Sequence, residues 1–160
     1  MIVKAAMTII HLAKITLLEK SCDYFKNVVI PELVHSETVK MEDKYPETNI
    51  IKNLVERKKI KIHKVTNRSF MEKANQYNIY RGEAESVALY WQEKADFLAT
   101  DDDNVRKKAT ILNLNVIGTL AIVFKLRKED IINKEKFKES ISKLRKIGWF
   151  SSAVLDKMLM

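Results

Sequence analysis

Between Glu83 and Asp103 the chain gathers Glu83, Glu85, Glu93, Asp96, Asp101, Asp102 and Asp103, which is 7 of its 21 acidic residues in 21 positions. The three consecutive aspartates follow closely on an apolar run, Phe97–Leu98–Ala99, and Glu37 is an acid in an earlier helix-forming stretch. Carboxylates drawn into one pocket repel one another, so such a pocket needs a cation. An all-oxygen ligand set favours Mg2+ or Mn2+ over zinc. An ion of that kind lowers the pKa of a bound water and neutralises charge on a phosphodiester transition state. Each acid also has a plainer reading. Glu83 and Glu85 suit a helix N-terminus through its dipole. Asp102 or Asp103 suits the N-cap of the next helix. Glu37 suits a solvated face. Arg106 and Lys107 begin that next helix, where they can contact a phosphate or pair with the acids.

Short apolar runs must position these groups. They alternate with longer amphipathic ones. Strands are expected at Met1–Lys4, Val28–Ile30, Ile60–Val65, Phe97–Thr100 and Asn115–Ile117. Helices are expected at Thr8–Glu19 with Thr8 as N-cap, Glu32–Asp43 after Pro31, Ile51–Arg57, Ser69–Tyr77, Gly82–Lys94, Asn104–Leu112 and Thr119–Leu126, with basic helices at Lys134–Lys146 and Ser151–Leu159. Strand–helix alternation predicts an α/β fold with a mostly parallel sheet covered on both faces. In such sheets sites form at the carboxyl ends of the strands, which is where the aspartates fall.

The 160 residues, with 3 Gly, 2 Pro and no linker-like tract, suit one domain spanning 1–160 that ends in the basic helices at about 134–160. The lone Cys22 excludes an internal disulfide and reads as a core thiol. The apolar N-terminus is broken by Lys4, His11 and Lys14 and is too short to span a bilayer, so a cytoplasmic protein without a membrane partner is expected. His11, His35 and His63 lack metal-ligand spacing and read as structural or solvated. Tyr90 and Trp91 read as core or interface rather than a stacking platform, and Ser151–Leu159 as a helix docked on the core. Net charge is +8. Residues 1–103 balance at 16 basic and 16 acidic, while residues 104–160 carry 13 basic against 5 acidic, so the whole excess, 13 − 5 = 8, lies there. A basic surface beside an acidic, metal-loaded pocket suits a nuclease, with RNA as partner.

The run RGEAESVALYWQEKADFLATDDDNVRKKATILNLNVIGTLAIVFKLRK resembles the PIN-domain family. It is similar to the branch marked by GEAE, DD-x-x-x-R-x-x-A and GTL, here Gly82–Glu85, Asp101–Ala109 and Gly118–Leu120. MIVKAAMTIIHLAKITLLE looks like the family's opening strand and helix, and VVIPELVHSE like its second strand and acidic helix. Leu144, Gly148, Trp149 and Phe150 are similar to its C-terminal end. The resemblance implies a three-layer α/β/α sandwich with a central sheet of 4–5 strands. It implies an Mg2+- or Mn2+-dependent endoribonuclease, often the VapC-like toxin of a toxin–antitoxin pair and often a homodimer. It carries an acidic quartet onto Glu37, Glu83, Asp101 or Asp102 (the T-x-D spacing from Thr100 favours Asp102) and position 5, and gives Thr100 as a hydroxyl near the metal. Position 5, however, is Ala5. An alanine cannot ligate a metal, so cleavage is expected to be weak or absent, whether the acid was replaced by design or lost in nature. The alternative is a non-catalytic PIN module that binds RNA or a partner protein.

Overall fold

The structure, a computed structural model, describes residues 1–41 and 43–160. Five strands form one sheet: β1 (Ile2–Lys4), β2 (Val28–Pro31), β3 (Ile60–His63), β4 (Phe97–Ala99) and β5 (Val116–Ile117). Their order is β3-β2-β1-β4-β5, and every pairing is parallel. The connections carry helices α1 (Ala6–Lys14), α2 (Leu18–Phe25), α3 (Glu32–Lys40), α4 (Asn49–Glu56), α5 (Arg68–Gln76), α6 (Arg81–Gln92), α7 (Asp103–Lys108) and α8 (Thr119–Lys128). The chain closes with α9 (Lys134–Ile147) and α10 (Ser152–Leu159).

Side chains alternate across each strand, and the two faces feed two cores. Ile2, Val28, Ile30, Ile60 and Ala99 face a core shared with α1, α2, α8, α9 and Leu155 of α10. Val3, Val29 and Leu98 face a second core with α5, α6 and α7. The result is the expected α/β/α sandwich with an all-parallel sheet. Among the described residues no helix is long and apolar enough to cross a membrane.

The strand order positions the site. β1 leads outward to β2 and β3, whereas β4 and β5 lie on the other side of β1. The winding therefore reverses between β1 and β4, and their carboxyl ends open a crevice there. Ala5 follows β1 at this crevice, and its N–H bonds the Ala99 carbonyl at 2.9 Å. Thr100, Asp101 and Asp102 leave β4 at the same place.

Two expectations need correction. The helix expected at Thr8–Glu19 is two helices. Thr16 takes a left-handed conformation (φ 59°) and Leu17 N–H reaches the Leu12 carbonyl at 2.9 Å, which ends α1 in a Schellman-type turn. Ile15, Leu17 and Leu18 are all buried, so the apolar phase runs through the break and hides it in the sequence. Thr8 is not the N-cap. That place belongs to Ala5, which offers no side-chain acceptor, and Thr8 is buried within α1. Lys4, which interrupts the apolar N-terminal run, is nonetheless fully buried, with its Nζ 2.5 Å from Ser21 Oγ.

Candidate functional site

Glu83 lies in the first turn of α6, which packs on β1, β2 and β4 and against α3. Packing of α3 on α6 brings Glu37 in. Its carboxylate lies so close to Gly82 that a Cβ there would stand 2.6 Å from Oε2. A side chain at position 82 would have to push the Glu37 carboxylate away, so the glycine keeps Glu37 where it is. From β4, the Thr100 hydroxyl donates to Glu83 Oε2 at 3.2 Å and accepts the Asp102 N–H at 3.1 Å. Burial raises the Glu83 carboxyl to about 7. The charges of Asp102, Glu37 and Asp101 push the same way, against the Thr100 bond. Glu37 and Asp102 thus stand near enough to Glu83 for their charges to act on it, and Thr100, which bonds Glu83, is fully buried.

Asp101 is differently placed. It is buried. One oxygen accepts the Thr119 N–H at 2.8 Å, and the other takes the Thr119 hydroxyl and stands 2.7 Å from His11 Nδ1. Burial by itself would raise this carboxyl, but the His11 and Thr119 bonds outweigh it and hold it below the ordinary aspartate range. Asp102 Oδ1 accepts the Val105 N–H at 2.9 Å and caps α7, so the plainer reading of this residue as an N-cap also holds.

Among the described residues no group of three or more His, Cys, Asp or Glu stands close enough to hold a metal ion. The geometry accounts for this. Asp101 spends both oxygens on His11 and Thr119, Asp102 spends one on its cap, and position 5 contributes a methyl group.

A family model described as DUF3368: PIN domain matches residues 1–160. The chain belongs to the PIN-domain family. No curated protein and no solved structure matches it. PIN domains are typically nucleases that act on RNA, and such nucleases generally use divalent metal ions. The donors of this PIN domain suit a hard divalent cation. They are carboxylate and hydroxyl oxygens, and Glu83 is raised first by burial and then by the acids near it. The fit is one of donor chemistry alone, and position 5 adds no donor to it.

The three motifs that carry the resemblance prove to be one contact set in this PIN chain. Gly82 admits Glu37. Asp101 binds Thr119 of the GTL motif. The Arg106 guanidinium lies over Gly118, where a side chain would have to push it aside, and Asp101 Oδ1 is 3.1 Å from an ideal Cβ there. Arg106 and Lys107 are both exposed on α7, and the Arg106 guanidinium reaches back over Gly118 toward Asp101.

Of the histidines read as structural or solvated, His11 is structural. It is completely buried, and its ring meets Trp149 and Phe150 edge-on at centroid distances of 5.1 and 5.2 Å. Its partner Asp101 lies 90 residues away, which no local spacing reveals. His63 pairs with Glu93 at 2.8 Å, a structural role as expected. Trp91 packs against Phe70 and donates to the Leu112 carbonyl at 3.3 Å, and the Cys22 thiol is buried and pushed up, which makes it inert.

Proposed function

We propose that this PIN domain is a metal-dependent endoribonuclease whose activity is impaired by Ala5. The observation that carries the reading is the Glu83 carboxyl, raised to about 7 by burial and by the acids gathered around it at the reversal point of the sheet. A carboxylate held that way costs stability, and ion binding is the use for it. Glu37, Glu83 and Asp102 would hold Mg2+ or Mn2+, with Asp101 as the stiff support behind them. A bound cation would supply a water of lowered pKa and offset the charge of the attacked phosphodiester. Thr100 orients Glu83 through its hydroxyl and fixes the Asp102 backbone. Arg106 and Lys107, with the basic helices of residues 134–160, would hold the RNA backbone.

Ala5 sits 1% exposed at the N-cap of α1, beside the end of β4. Ala5→Asp would return both a cap and a carboxylate to the crevice. The variant is expected to bind Mn2+ and to cleave RNA in a Mn2+-dependent way, and adding Glu83→Ala is expected to abolish both. Failure of Ala5→Asp to bind Mn2+ or cut any RNA sinks the nuclease reading. The further likeness to VapC-like toxins extends the proposal to a cytoplasmic toxin paired with an antitoxin, working as a homodimer.

A second reading rests on Ala5 itself. A PIN module without the position-5 acid can serve as a non-catalytic binder of RNA or of a partner protein. A salt titration separates these partners: RNA affinity dominated by phosphate contacts falls steeply with salt.

A further inference from the structure

Beside the acidic crevice, on the far side of Asp101, a cavity of ≈ 240 Å³ opens between α8 and α10. Arg106, Gly118, Leu120, Trp149, Phe150 and Val154 line it. Nothing in the carboxylate chemistry above uses this space. Trp149 is 49% exposed, yet its ring is fixed. Its Nε1 donates to the Asp101 carbonyl at 3.3 Å, and one side of the ring rests on His11, which Asp101 holds in turn. An exposed aromatic surface that is already immobile loses little entropy when something stacks on it. The exposed Arg106 side chain reaches the same cavity, with its guanidinium over the Gly118 backbone.

We infer that this cavity is a nucleotide subsite for single-stranded RNA, with a base stacked on Trp149 and the adjoining phosphate held by Arg106. A flat aromatic, a guanidinium and an apolar floor of Leu120, Phe150 and Val154 form the combination that sequence-tolerant single-strand binding uses. The size argues for one small planar group, since ≈ 240 Å³ is below the roughly 300–1,000 Å³ of drug-sized ligand pockets. A stable protein partner would instead need a contact burying on the order of 1,200 Å² or more. The charge agrees: residues 104–160, which supply every lining residue but Asp101, hold the whole +8 excess. The subsite deepens the nuclease reading, on which the choice of RNA rests, and it places the bound strand directly beside Asp101 and the crevice.

The test uses the full chain. With 2 tryptophans present, Trp91→Phe leaves Trp149 as the only indole. Titration of that chain with a short oligoadenylate at low salt is expected to change Trp149 emission saturably, and an abasic ribose-phosphate oligomer of equal length to bind several-fold more weakly. Trp149→Leu is expected to weaken oligoadenylate binding by roughly 5- to 150-fold, the equivalent of one stacked base, while Trp149→Phe retains most of the affinity. Arg106→Ala is expected to reduce the log–log salt slope by about 0.7. Equal affinity of a folded Trp149→Leu chain and its parent overturns the subsite and leaves the nuclease reading standing. If Trp149→Leu does not fold, the emission titration decides alone, and an unresponsive Trp149 overturns the proposal. Absence of RNA binding in every chain also overturns it, and cleavage by Ala5→Asp then judges the nuclease reading separately.

Discussion

Asp101 and Glu83 are acids at the same edge of the same sheet, shielded from water in the same crevice, and their titrations move in opposite directions. Asp101 receives bonds from His11 and from both the backbone and hydroxyl of Thr119, and its carboxyl falls. Glu83 receives one bond, from Thr100, while Asp102, Glu37 and Asp101 repel it, and its carboxyl rises to about 7. Burial is common to both, so the donors make the difference. The fold satisfies one acid completely and leaves the other with a single donor among like charges. Acid count and spacing alone do not separate a strut from an ion-binding group.

The largest expected effect breaks the satisfied side. Asp101→Ala strands His11 Nδ1 and two Thr119 donors in a buried place, and removing one partner of such a set costs about 3–5 kcal/mol. For a chain of this size each kcal/mol lowers Tm by about 2–4 °C, so thermal unfolding is expected about 10 °C lower. A shift of a degree or two would show that Asp101 is not a strut.

The next effect concerns a buried cation treated as Glu83 is. Lys4 Nζ bonds Ser21 Oγ and lies 5.7 Å from the Phe25 ring centroid, and burial pushes its ammonium from 10.5 down to about 8. The unfolded chain then holds a proton between pH 8 and 10.5 that the folded chain has released, so stability rises across that window. The full gain is on the order of 3 kcal/mol, from 1.36 kcal/mol per unit. Lys4→Met is expected to flatten this rise and to be more stable than the parent at pH 7, as read by chemical unfolding at several pH values. An unchanged slope would show that Lys4 is solvated in the folded chain.

On the unsatisfied side the sign reverses. The Glu83 carboxyl is raised from 4.5 to about 7, so the folded chain binds the extra proton in that interval and stability falls as pH climbs through it. Glu83→Gln is expected to remove this fall and to gain about 2 kcal/mol at pH 8, after allowance for partial exposure. The same change is expected to abolish Mn2+ binding in the Ala5→Asp chain. A gain in stability with a loss of function is the signature of a site kept at a cost. Destabilisation by Glu83→Gln would place Glu83 with Asp101 among the struts.

Much of this arrangement was legible in the residues, and the rest was not for identifiable reasons. The five strands follow from short apolar runs, and the position of Thr100–Asp102 follows from the rule for parallel sheets. Gly82, Arg106 and Thr119 could be picked out as motif members, but what each touches, and why glycine is needed against Glu37, required coordinates. Lys4 could be read only as a break in an apolar run, and its burial against Ser21 required coordinates. Trp149 could be noted only as part of a C-terminal likeness, since its contacts with Asp101 and His11 cross 48 and 138 residues (149 − 11 = 138).

The smallest effect tests the residue between the two classes. Asp102 caps α7 through one oxygen and weighs on Glu83 with its charge. Asp102→Asn keeps a cap acceptor and discards the charge, so stability is expected to stay within about 0.5 kcal/mol of the parent, because Asn and Asp rank alike at an N-cap. Asp102→Ala discards both and is expected to cost about 1 kcal/mol. In the Ala5→Asp background both substitutions are expected to abolish Mn2+-dependent cleavage. If Asp102→Asn cleaves as well as its parent, Asp102 is only a cap, and the ion is held without it.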